Sequence, residues 1–177
     1  MLRRAGLFLV LVVLGLTLLT ACGASERSRS RQDGAIVLDR SIGGVGLGKK
    51  RTDVEQSLGK GFVLKAEDQE PPEPASHAED VLYTKSGLEV WYVSANASKT
   101  SRDMGRVIVV LTHSPRYRTL EGVHVGSPVT DLNTIGGVQC SLADCQHGYH
   151  ALNQPGTTFR LDHPGGKVMM IAVAFGH

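Results

Sequence analysis

Two short stretches hold the residue types that do chemistry. The first, GGVGLGKKRTD over residues 43–53, is one substitution short of a phosphate-binding loop: Gly43, four residues, Gly48, Lys49, then Lys50 where Ser or Thr would hold magnesium. The second, CSLADCQHGYH over residues 140–150, offers the sulfurs of Cys140 and Cys145 and the imidazoles of His147 and His150 as a Cys2His2 set. Its spacing argues against zinc. Structural zinc sites separate their ligand pairs by a dozen residues or more so that two elements converge on the ion, and here all four ligands fall within 11 residues. Outside the cytoplasm, two thiols this close are more often joined than free, so Cys140 and Cys145 read as a disulfide that contributes about 2 kcal/mol. No metal and no cofactor is expected. Metal or ligand sensing through residues 140–150 is kept as an alternative.

The phosphate-loop question is decided by a second copy of the same stretch. GVGLGKKRTDVEQSLG from Gly44 aligns with GVHVGSPVTDLNTIGG from Gly122 at an offset of 78, pairing Gly48 with Gly126 and Thr52-Asp53 with Thr130-Asp131. Ser127 stands where the first copy has Lys49, so the copies share the turn and not the lysine. Gly48 and Gly126 therefore read as backbone positions needing positive φ ahead of a short helix, and no nucleotide is expected. Thr52 and Glu55 have the spacing of a capping box, with Val54 and Leu58 on one face. In the second copy Ser127 would cap, with Pro128 at the first helical position, and Gly59 and Gly136 would end the two helices. Later segments pair as well: SGLEVWYV (86–93) with PGTTFRLD (155–162), and GRVIVVLT (105–112) with GKVMMIAV (166–173). The expected fold is α+β, two tandem helix-plus-antiparallel-three-strand repeats over residues 35–114 and 115–177, with the short helices packed on one face of the sheet.

The N-terminus reads as an address. Arg3 and Arg4 precede a 15-residue apolar run that is too short to span a bilayer comfortably, and small residues follow it. The run ends in Leu-Thr-Ala-Cys, which resembles the lipobox of bacterial lipoproteins. That resemblance implies a signal peptide over residues 1–21, a diacylglyceryl group on Cys22, and membrane anchoring by lipid outside the cytoplasm. Residues 22–34, rich in Ser and Arg, read as a polar tether. The whole chain carries 19 Lys and Arg against 17 Asp and Glu, and removal of Arg3 and Arg4 leaves 17 of each. A neutral chain has no basic footprint for nucleic acid.

The strands supply one candidate binding surface. If Leu88, Val90 and Tyr92 face the helices, Trp91 and Val93 point to the opposite side of the sheet, where an apolar patch would suit a partner. The competing reading packs Trp91 under the loop that follows Ser94. KAEDQEPPEPASHAED, residues 65–80, has six acids and three prolines and reads as a solvated loop without a calcium-binding pattern. His113, His124 and His163 stand singly, and nothing resembles a nucleophile elbow.

The lipobox, the tether and the repeated G-V-x-[LV]-G…T-D-[VL]…G turn together resemble the BamE-like (SmpA/OmlA) lipoprotein domains and the β-lactamase-inhibitor-protein repeat. The resemblance covers roughly residues 42–177. It implies protein binding in the cell envelope and no chemistry of the chain's own. The expected function is a lipid-anchored, non-catalytic binding or scaffold module for an envelope protein, with a cell-envelope hydrolase, or an inhibitor of an envelope enzyme, as the alternative.

Overall fold

The computed structural model describes residues 34–69, 76–94, 105–148 and 153–176. Three two-residue strands come first, β1 (Ile36–Val37), β2 (Ser41–Ile42) and β3 (Val45–Gly46), paired as an antiparallel meander. The helix α1 (Arg51–Leu58) follows, then β4 (Phe62–Gln69), β5 (Ser76–Tyr83), β6 (Leu88–Ser94) and β7 (Arg106–Thr112). A 3-10 helix at Val129–Thr134 precedes β8 (Gln139–Ser141), β9 (Asp144–Gly148), β10 (Pro155–Leu161) and β11 (Val168–Phe175). Strands β4 to β11 form one sheet of eight, ordered β4-β5-β6-β7-β11-β10-β9-β8, with every neighbour antiparallel.

This architecture corrects the expected pair of helix-plus-three-strand repeats. The fold is mostly β, with one α-helix and one 3-10 helix among the described residues and a separate three-stranded sheet. The acid-rich stretch expected to be a loop runs instead through β4 and β5, where Lys65 lies opposite Asp80 and Glu67 opposite Ala78. Its charges are compatible with a strand because β4 is an edge, where side chains reach water and charge discourages further pairing. Both expected helix caps also fail. Lys50 stands at the start of α1 with no side-chain cap, and Glu55 pairs with Arg51 at 2.8 Å. In the second half, Pro128 precedes a 3-10 helix, and the Ser127 hydroxyl is spent on His124.

The two glycine turns are used alike. Gly48 (φ 76°) donates its N–H to the Val107 carbonyl at 2.8 Å, and Gly126 (φ 98°) donates to the Val168 carbonyl at 2.7 Å. Arg51 N–H reaches Gly105 O at 2.9 Å and Val129 N–H reaches Gly166 O at 3.0 Å. Amides that a phosphate would need are thus committed to the strand ladder, and Lys49 Nζ folds back onto the Gly44 carbonyl at 2.8 Å.

Strand periodicity then sorts the side chains. Leu88, Val90 and Tyr92 of β6, Val110 of β7, Ile171 and Val173 of β11, and Phe159 of β10 are buried in one core. Ile36, Ile42 and Val45 of the small sheet, Val54 of α1, and Leu132 of the 3-10 helix cover that inner face. A polar tie holds α1 there: Arg51 pairs with Glu55 and with buried Glu79, and its guanidinium lies 5.6 Å from the Tyr92 ring centre. Burial alone would lower the Arg51 pKa, but Glu55 and Glu79 hold it above the ordinary value. Tyr83 and Tyr92 share a hydroxyl contact at 2.8 Å, and burial raises both phenols.

Candidate functional site

The outer face is built by the alternate residues of the same strands. Across it the pairing runs Lys65, Asp80, Trp91, Val109, Ala174, and in the next row Leu82, Glu89, Leu111, Ala172. Val109, Leu111 and Ala172 form a second apolar cluster, separate from the inner core, with Ile108, Met170 and Ala174 at its margin. Toward β4 this face opens to solvent. Trp91 is 42% exposed and Phe62 66%. Val93 is half-buried beside Trp91, opposite Arg106. The loop expected to cover Trp91, residues 94–103, lies outside the described residues except for Ser94, the last residue of β6.

A pocket of about 210 Å³ lies at Trp91, lined by Lys65, Ala78, Asp80, Trp91 and Ile108 among others. Asp80 is its unusual member. One carboxylate oxygen, Oδ1, is buried without a hydrogen-bond partner. Burial, then the nearby Glu89 carboxylate, push its pKa up to about 6. Trp91 Nε1 donates to Glu89 Oε1 at 3.0 Å, and Lys65 Nζ is held by Glu67 at 2.6 Å. Sequence reasoning missed Asp80 and Glu89 because it placed Asp80 in a loop. The pairing of β5 with β6 brings them together, and only the strand register would have revealed it.

The other chemistry-bearing residues are structural. Cys140 and Cys145 lie opposite each other on β8 and β9 and are joined by a disulfide. Their sulfurs are therefore not thiolate ligands, and His150 lies outside the described residues. Among the described residues no group of three or more His, Cys, Asp or Glu could hold a metal ion. His147 instead sits 2.8 Å from Asp39 Oδ2, an ion-pair distance, while Thr157 Oγ1 donates to Asp39 Oδ1 at 2.9 Å. The carboxylate stands between ring and hydroxyl, so the imidazole does not serve the hydroxyl as a base, and Thr157 is fully buried. His124 Nδ1 contacts Ser127 Oγ at 2.9 Å, but Ser127 is buried within its own turn. His113 Nδ1 lies 3.1 Å from the Met169 carbonyl, and His163 pairs with Asp162.

The candidate lipid attachment at Cys22 falls outside the described residues. Among the described residues no helix is long and apolar enough to cross a membrane. No family model matches the chain, and no curated protein matches it. One solved structure is similar, the uncharacterized protein YfeY from Escherichia coli, at 8% identity and a TM-score of 0.42, covering 77% of this chain and 97% of that one. A likeness that distant carries no argument about fold or role.

Proposed function

We propose that the chain is a lipid-anchored, extracytoplasmic, non-catalytic module that binds another protein of the cell envelope through the outer face of its eight-stranded sheet. The observation that carries this reading is the exposed apolar surface toward β4, where Trp91 of β6 faces solvent opposite Val109 and Phe62 faces solvent on the edge strand itself. Large aromatic side chains on an open sheet face are the usual anchors of protein recognition. The disulfide suits an oxidising compartment, and the lipobox at Cys22 suits a tether to the membrane. A hydrolase would need a nucleophile with an adjacent base, and the Asp39, His147 and Thr157 arrangement does not supply one.

The test is capture from solubilised membranes with the anchored wild-type chain and a Trp91→Ala copy side by side. A defined partner retained by the first and lost by the second is the expected result. Retention by both, or no partner on the wild-type chain, contradicts the reading.

A further inference from the structure

The outer face is not uniformly apolar where it opens. Around the Trp91 indole the sheet places Asp80 and Glu89 from β5 and β6, against Lys65 and Glu67 from β4. Lys65 lies directly opposite Asp80 on the neighbouring strand, yet its ammonium is given to Glu67. One Asp80 oxygen is left buried and unpartnered beside a pocket wide enough for the end of a long side chain. A donor on a bound protein would satisfy that oxygen, and an unpaired buried acceptor is costly. The aromatic wall narrows the choice further. A cation beside carboxylates and against an indole gains a charge-assisted hydrogen bond and a cation–π contact together.

We propose that the pocket at Trp91 receives a lysine or arginine side chain of the bound protein, with Asp80 as its acceptor, the Trp91 ring as its wall and the neighbouring Glu89 carboxylate adding negative charge beside it. This rests on the protein-binding reading and specifies what the bound surface must carry. Affinity then depends on pH. Asp80 faces Glu89 across β6 and Lys65 and Glu67 across β4, and it loses its proton near pH 6. Only the ionised form accepts from the incoming cation in full strength, so binding weakens as pH falls through that region.

Trp91 is the one tryptophan in the chain, so its fluorescence reports this pocket alone. The mature chain is titrated with three peptides, acetyl-Leu-Arg-Leu-amide, its lysine analogue and its citrulline analogue, the last having the shape of arginine without the charge. Both cationic peptides are expected to give a saturable change, with the citrulline peptide weaker by roughly tenfold or more, the worth of a charge-assisted contact. Asp80→Asn and Glu89→Gln, each checked for an unchanged fold by circular dichroism, should bring the arginine peptide toward the citrulline level. Lowering the pH from 7.5 to 5 should do the same in the wild-type chain. Equal binding of arginine and citrulline peptides, an Asp80→Asn chain that keeps the preference, or no response to any peptide overturns the proposal. Equal binding would still leave a protein-binding face, which the Trp91→Ala capture experiment tests separately.

Discussion

The inner and outer faces of the eight-stranded sheet are made by neighbouring residues of the same strands, yet they are finished in different ways. On β6, Leu88, Val90 and Tyr92 are sealed under the small sheet and α1, while Glu89, Trp91 and Val93 alternate with them on the other side. The inner face is completed by the chain itself. The outer face ends in an exposed indole and an acid with one oxygen unpartnered. Because strand side chains alternate, stability and recognition are carried by residues one position apart. Substitutions can therefore separate the two.

The largest separation should come from Phe159→Ala on the inner face. Phe159 is fully buried among both halves of the sheet, and its loss should cost about 3–5 kcal/mol in denaturant unfolding. Next comes Glu79→Gln, which leaves the half-buried Arg51 guanidinium with Glu55 alone. A loss of about 2–3 kcal/mol in the same measurement is expected, below the full cost of breaking a buried pair because Arg51 keeps one partner. Reduction of the Cys140–Cys145 bridge frees a small loop in the unfolded chain and should cost about 2 kcal/mol.

On the outer face the sign reverses. Folding raises the Asp80 pKa from 3.8 to about 6, so between those values the unfolded chain binds fewer protons than the folded one and stability falls as pH rises. Discounted for solvent screening at this partly exposed site, ionised Asp80 is a liability of about 1 kcal/mol. Asp80→Asn should thus stabilise by about that amount at pH 7.5 and by almost nothing at pH 3.5, read from melting curves at the two pH values. Destabilisation at pH 7.5 would mean Asp80 has a partner after all. Trp91→Ala should be the mildest for folding, under about 1 kcal/mol, while abolishing capture of the partner. If it unfolded the chain as Phe159→Ala does, the contrast between faces would collapse.

Parts of this contrast were legible in the sequence and parts were not. The turns at Gly48 and Gly126 could be read because only glycine adopts their backbone conformation without strain, and β6, β7, β10 and β11 because β-branched and aromatic residues crowd them. The parity of Trp91 against Val90 and Tyr92 followed from the two-residue period alone. Strands β4 and β5 stayed hidden. Glu67, Asp68, Glu79 and Asp80 give a solvated-loop composition, and what makes them strands is the pairing of β4 with β5, which composition does not show. The meander of β1, β2 and β3 has two residues per strand, too short for any periodicity. The Asp80 and Glu89 pair was invisible for the same reason as β5, since register sets which carboxylates become neighbours.

The most direct measurement places a photo-activatable benzoylphenylalanine, one position at a time, in the full chain expressed in intact cells. Replacing Trp91 or Phe62 probes the open end of the outer face, and replacing Leu120, fully exposed in a connecting turn, controls for exposure alone. The account predicts the same protein adduct from positions 91 and 62, suppressed in the Asp80→Asn background, and none from position 120. An adduct from position 120 with positions 91 and 62 silent would contradict it.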